Sequence, residues 1–366
     1  MTDSFGYQKK RIEKLRNLME ENGIDAFLIP PGPNFFYFTG FQTESAERLA
    51  ILIVTHENAS ILGPLLMKEQ IEENSLIDEV RGWKDGEDPY RIANEMLEAW
   101  KVKSIAVDGN LPYFHYSKLF STRKFREFLA DEMFSKLRKV KDTEELNAIS
   151  TAVLKSERAL EETLNAITLG ITEKELAGIL GDNMRSTGLD VEAFPSVVAF
   201  GSNSAIPHHI PGIRQLNYRE PIVIDFGGRF HGYASDTTRT LFLGDPSDEM
   251  LKIYEITRNA QETTISDLNT DSLYSDADRI ARSVITEEGY GERFIHRVGH
   301  GLGISVHEEP YLVPDNREKV LENSVFTIEP GIYLSGKGGV RIEDTVTFRN
   351  GKCVSFNKFS KEIKVL

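Results

Sequence analysis

The stretch Ile222-Val223-Ile224-Asp225-Phe226-Gly227-Gly228 is an apolar, β-type run with a carboxylate set inside it. A second run of the same form, Val325-Phe326-Thr327-Ile328-Glu329-Pro330-Gly331, lies further along the chain. A charged group in such a run is costly to bury unless it is paired or bound to a cation. Each run leads to a partner that also carries carboxylates, Ala234-Ser235-Asp236-Thr237-Thr238-Arg239-Thr240 after the first and Val340-Arg341-Ile342-Glu343-Asp344-Thr345 after the second. Gly227-Gly228 and Gly232 permit a hairpin that sets Asp225 and Asp236 on one face. Taken alone, the first pair also reads as one Asp capping a turn and the other paired with Arg239. Four strand-borne carboxylates together are harder to explain as solvated faces. A bound cation cluster accounts for all four.

Outward from these runs the sequence repeats itself loosely. One half has a helical pattern over Thr172 to Ser186, then Gly188, Phe194, His208-His209 and the Asp225 run. The other has a helical pattern over Ser275 to Glu288, then Gly289, Phe294, His300, His307 and the Glu329 run. Two similar halves would bring the paired carboxylates towards a shared centre, although the identity is weak enough for chance to remain a reading. Ahead of them, Asp142 and Glu145 predict an N-capping arrangement for a long helix to about Ile167. Earlier still, Ile12, Leu15, Leu18 and Met19 recur at helical spacing until Asn22-Gly23. The β-like runs Ala26 to Ile29 and Leu49 to Val54 follow, with the turn-rich Pro30-Pro31-Gly32-Pro33 between them. A helical pattern over Pro89 to Trp100 and a short strand Ser104 to Val107 complete a small α/β domain. The expected fold class is α/β (α+β) in two domains, 1–135 and 136–366.

His300 stands in Val298-Gly299-His300-Gly301-Leu302-Gly303, where glycines allow backbone and ligand to approach closely. A histidine among glycines is usually a turn residue, but this one lies in sequence between the two carboxylate pairs. Asp225, Asp236, His300, Glu329 and Glu343 would form a hard, oxygen-rich set suited to Mn²⁺, Co²⁺, Fe²⁺ or Mg²⁺ more than to a structural zinc site. Five ligands exceed what one catalytic ion needs. Two ions roughly 3.5–4 Å apart, bridged by carboxylates, would use them all.

Composition limits the other possibilities. The 366 residues suggest two domains, and 40% hydrophobic with 27% charged residues is ordinary for a globular enzyme. The net charge of -14, without a basic block, argues against nucleic acid and anionic membranes as partners. Cys353 is the only cysteine, so it cannot form an intramolecular disulfide and is read as inert packing. Met1-Thr2-Asp3-Ser4-Phe5 and the mixed-charge stretch after it lack a signal-peptide core, and no apolar run approaches a membrane span. Cytoplasmic residence is the expectation.

These motifs resemble those of the pita-bread metallopeptidases, the family of methionine aminopeptidase, aminopeptidase P and prolidase. Asp225, Asp236, His300, Glu329 and Glu343 match its metal positions in order and local context, without substitution. The resemblance covers roughly residues 140–360, preceded by a creatinase-type N-terminal domain, and implies a pita-bread domain of two pseudo-twofold halves. It implies two divalent metal ions per subunit, Mn²⁺ or Co²⁺ in the first place and Fe²⁺ or Zn²⁺ as alternatives. It also implies that Glu329 doubles as proton shuttle, that His307 stabilises the oxyanion and that His208 orients the substrate or leaving group. Arg341 would orient carboxylates from behind them. His208 could otherwise be a loop residue beside Pro207 and Pro211, His307 a cap for Glu308 or Glu309, and Arg341 and Arg239 surface cations. His209, His231, His296 and Arg239 are read as structural.

The N-terminal domain and Pro207-His208-His209 resemble the proline-directed branch, whose substrates are small proline-containing peptides and whose members form homodimers or higher oligomers. Some prolidases place an Arg four residues after the His307 position as a clamp for the substrate carboxylate, and Tyr311 stands there instead. Glu47-Arg48, before an apolar strand, resembles short prolidases. The reading leans to an Xaa-Pro dipeptidase, with Xaa-Pro aminopeptidase as the alternative. A creatinase-like amidinohydrolase or a binding protein on this scaffold would not be expected to keep all five ligands.

Overall fold

In a computed structural model the chain divides into two compact units, Met1–Arg138 and Lys139–Leu366. The structure describes residues 5–44, 47–77, 79–121 and 123–366. Met1 to Ser4, used in reading the N-terminus, lie outside the described residues. Among the described residues no helix is long and apolar enough to cross a membrane.

The first unit is built on a six-stranded mixed sheet with helices. Its strand order is 79–83, 59–64, 51–55, 26–29, 104–107 and 126–129. Ala26–Ile29 and Ser104–Val107 form strands with the expected bounds and pair in parallel, Ala26 opposite Ile105. Every residue of both is buried, as in a parallel pair covered by helices, and the one polar member, Ser104, donates its hydroxyl to the Gly23 carbonyl at 2.9 Å. Leu28, Ile53 and Ile105 pack with Ile92, Ala93 and Met96 of the Pro89–Ala99 helix, which Asp88 caps. The Pro30 to Pro33 segment is only partly a turn, because Pro33 opens a short helix, Pro33–Thr39. Proline suits a first helical position, where its missing N–H has no partner to lose.

In the second unit, Asp142 and Glu145 form the expected capping box on helix Thr143–Thr163, which tightens to a 3-10 turn over Leu164–Ala166. Thr172 and Glu175 form another on Glu173–Ser186. These helices pack Leu160, Leu176 and Leu180 onto Ile222, Ile224 and Leu241 of a three-stranded sheet, 197–200, 221–226 and 237–242. The second half uses the same layout. Helices Asp248–Asp267 and Tyr274–Glu287 bring Ile253, Ala277 and Ala281 into a core with Phe326, Ile328 and Val346. Those last residues belong to a five-stranded sheet ordered 308–312, 299–301, 325–328, 344–349, 352–355. The loose sequence repeat is thus one helix-pair-on-sheet unit used twice.

Candidate metal centre

The strand register explains how distant carboxylates share a centre. His231 and Gly232 have φ of 50° and 81° and join the strands Gly228–Phe230 and Tyr233–Ala234. A two-residue hairpin loop of this kind needs that conformation, so His231 is a turn residue. Beyond the hairpin, Asp225 lies opposite Thr238. Asp236 is two residues from Thr238, so it shares the face of Asp225. In the other half, His300 donates its backbone N–H to Thr327 Oγ1 at 3.1 Å, and Glu329, two residues on, shares that face. Ile328 lies opposite Asp344, and one further step sets Glu329 against Glu343. The Glu343 N–H donates to the Thr238 carbonyl at 3.1 Å and ties the halves together.

Only Asp225 lies within a strand; Asp236, Glu329 and Glu343 sit just outside strand ends. For Glu329 the cause is Pro330, which has no N–H to continue the ladder. Close backbone packing sustains the arrangement. A Cβ on Gly227 would lie 1.9 Å from the Ser235 carbonyl oxygen, and one on Gly299 would lie 1.9 Å from that of Thr327.

Ligand atoms of Asp236, His300 and Glu343 all lie within 4.8 Å of one another. His300 Nε2 is 3.2 Å from Glu329 Oε1 and 3.7 Å from Asp236 Oδ2. Its Nδ1 is 3.2 Å from the Gly301 carbonyl, which can only accept, so Nε2 keeps its lone pair for a cation. Asp225 Oδ2 accepts from Arg341 at 2.7 Å, whereas its Oδ1 is buried without a hydrogen-bond partner. Burial, then repulsion from Glu343 and Asp225, pushes Asp236 well above the carboxylate range. Burial and the charges of Glu329 and Asp225 do the same to Glu343. Burial also raises Asp225 against the pull of Arg341. Glu329 differs: burial opposes its charge, but His300, when it carries a proton on Nε2 in place of a cation, prevails through its hydrogen bond and charge and holds it at about 2. Facing carboxylates, an orphaned oxygen and a pre-set imidazole lone pair fit divalent cations.

Arg341 and Arg239 are both buried, not surface cations. Arg341 donates to Asp225, to Tyr333 Oη at 2.9 Å, to Thr238 Oγ1 at 3.0 Å and to the Pro207 carbonyl at 3.4 Å. Tyr333 Oη lies 2.8 Å from His296 Nε2, and His296 Nδ1 lies 2.7 Å from the Arg297 carbonyl. These contacts run in one direction, with His296 Nδ1–H donating, Nε2 accepting from Tyr333 and Tyr333 accepting from Arg341. Burial agrees, lowering His296 and raising Tyr333 to about 12, so both stay neutral. Arg239 pairs instead with Asp344 at 2.8 Å and faces Glu157 at 3.8 Å, so the reading that joins it to Asp225 or Asp236 does not hold.

A cavity of about 530 Å³ opens onto the cluster, lined in part by Phe194, Pro207, His208, Arg297, Val306 and His307. His208 and His307 are exposed on its wall. The His307 ring meets that of His300 edge-on at 4.2 Å, and partial burial with the neighbouring His300 and Arg297 pushes its pKa down to about 4. His209 turns away, its Nε2 2.8 Å from the fully buried Glu173. Glu173 also accepts from Phe200 N and Asn203 Nδ2, both at 2.9 Å, and from Gly212 N at 3.1 Å, which pins the loop carrying His208. The sequence reading missed Tyr333, His296, Thr238 and Glu173 as parts of this framework. The only local signal was His296, two residues from Phe294 and four from His300.

Residues 147–350 match metallopeptidase family M24, and residues 11–140 match the creatinase/prolidase N-terminal domain. The chain belongs to metallopeptidase family M24. It is a metal-dependent peptidase, built for divalent metal ions in the two-half pita-bread fold behind a creatinase-type domain. The M24 chain is 34% identical over 362 residues to an Xaa-Pro dipeptidase of Lactobacillus delbrueckii subsp. lactis, covering 97% of this chain and 98% of that one. A dipeptidase structure from Pyrococcus horikoshii OT3 is 39% identical, with a TM-score of 0.93, covering 97% of this chain and 100% of the other. An X-Pro aminopeptidase structure from Thermotoga maritima is 35% identical, with a TM-score of 0.87, covering 97% and 99%.

Proposed function

We propose that this M24 chain is an Xaa-Pro dipeptidase that uses two divalent cations, Mn²⁺ or Co²⁺ in the first place. The observation that carries the reading is near full-length likeness to proteins named Xaa-Pro dipeptidase, joined to a family ligand set that the fold gathers at one cavity. Asp225, Asp236, His300, Glu329 and Glu343 would hold the ions. Bound there, such ions supply Lewis acidity and make water acidic enough to act as a nucleophile near neutral pH.

The protein's own groups divide the remaining work. Glu329, which lines the cavity, accepts a proton from the attacking water and delivers it to the proline nitrogen as that bond breaks. His307, neutral and at the cavity wall, donates an N–H to the oxygen on which negative charge develops. His208 orients the substrate from the loop that Glu173 anchors. Arg341 fixes Asp225, and Tyr333 with His296 fixes Arg341.

The Thermotoga likeness favours a second reading, in which longer Xaa-Pro-Xaa peptides are cut. Metal-stripped protein, assayed on both peptide types before and after adding Mn²⁺ or Co²⁺, decides between them. Metal-restored cleavage of the dipeptide alone supports the dipeptidase, and efficient cleavage of the longer peptide supports the aminopeptidase. No cleavage of either removes the proline specificity. We also read the protein as a cytoplasmic homodimer, a state that light scattering on the eluting protein checks.

A further inference from the structure

The cavity wall carries two guanidinium groups, and they are in different situations. Arg341 is buried and spends its nitrogens on Asp225, Tyr333, Thr238 and Pro207. Arg297 is half-buried and lines the same cavity. Among the described residues no carboxylate lies within ion-pairing distance of it, and no hydrogen bond engages its side chain. What it does have is an aromatic floor, its guanidinium carbon 4.5 Å from the centroid of the Tyr311 ring. Tyr311 lies opposite His300 in the ladder, which sets that floor beside the metal-facing histidine.

Stacking on a ring leaves the in-plane N–H fork of an arginine free to take a carboxylate bidentately. A preset side chain also loses less freedom on binding. We infer that Arg297, seated on Tyr311, binds the free carboxylate of the dipeptide substrate and makes the enzyme select dipeptides over longer or capped ones. The inference rests on the dipeptidase reading. It explains how a clamp persists with an aromatic residue at position 311. It also gives Tyr311 a task as platform.

The test compares an Xaa-Pro dipeptide with its Xaa-Pro amide, which has the same scissile bond and no anionic terminus. Metal-loaded wild-type enzyme should prefer the acid in kcat/KM. Arg297→Ala should raise KM for the acid by about 10–100-fold, the worth of a charge-assisted hydrogen-bonded pair, and leave the amide within about twofold. Arg297→Lys, which keeps the charge without the fork, should restore part of the preference. Equal losses on acid and amide would overturn the clamp and make Arg297 structural or catalytic. An undiminished acid preference in Arg297→Ala would overturn it by placing the clamp elsewhere. Wild-type enzyme inactive on both substrates would sink the dipeptidase reading and the clamp with it. Activity with a lost selectivity pattern sinks the clamp alone.

Discussion

A neutral imidazole held 4.2 Å from another ring can donate to an oxygen without adding a full charge to the site. That is the role argued for His307. His307→Ala should therefore lose roughly 10²–10³ in turnover, mostly in kcat, because the donor acts on charge that develops only in the transition state. Near-normal turnover in steady-state assays would remove the role. Glu343 allows a test without catalysis. In metal-free protein burial and the charges of Glu329 and Asp225 disfavour its ionised form, which the unfolded chain adopts freely, so Glu343→Gln should raise the melting temperature of stripped protein. With Mn²⁺ present the same change should narrow the stabilisation that metal gives, because one ligand charge is gone. Calorimetry of both forms with and without chelator reads this, and a lower melting temperature in stripped Glu343→Gln would mean the cluster is not self-repelling. At this scale the sequence was informative where it broke a rule, since carboxylates in apolar β-runs stood out. Tyr333 and His296 broke none. An aromatic in a strand looks like core, and only tertiary distance shows Tyr333 joining His296 to Arg341.

Elements whose boundaries depend on local chemistry were legible. Asp142 with Glu145 named the start of a long helix, and Ala26–Ile29 and Ser104–Val107 matched their strands. The Pro33–Thr39 helix was not, because prolines that mark a turn also suit the first turn of a helix. The hairpin was foreseen from its glycines, but the pairing of Glu329 with Glu343 needs the register of strands far apart in sequence. The His208 loop depends on such a long-range tie. Glu173 opens one helix and accepts bonds from Phe200, Asn203, His209 and Gly212, which together outweigh the burial that opposes its charge and hold its pKa low. Glu173→Gln turns one acceptor into a donor facing donors. It should cost about 2–3 kcal/mol of stability and raise KM as the loop loosens. His209→Ala should act in the same direction with a smaller effect. An unchanged KM in Glu173→Gln, against a raised one in His208→Ala, would separate the loop's position from this anchor.

For the second unit as a whole, packing has a consequence at high pH. Tyr254 is almost fully enclosed on the Asp248–Asp267 helix, its ring tilted against Phe242, and donates its hydroxyl to the Lys361 carbonyl at 3.2 Å. Burial raises its pKa to about 12 from an ordinary 10.0. Between these values the unfolded chain has released the phenol proton and the folded chain has kept it. The native state then binds more protons, so stability falls as pH rises. The contribution is fully present below about 10 and is lost through about 12, amounting to about 2–3 kcal/mol at 1.36 kcal/mol per unit. Tyr333 and Cys353, each also raised to about 12, add to the same limb. Tyr254→Phe should lose about 1 kcal/mol at neutral pH with its hydrogen bond, yet lose less than the parent on going from pH 9 to 11.5. Urea midpoints measured across that range test the difference between the slopes. Parallel slopes would show that Tyr254 ionises in the folded protein as freely as in the unfolded one, and the enclosed helix-on-sheet core would then be open to hydroxide on the equilibrium timescale.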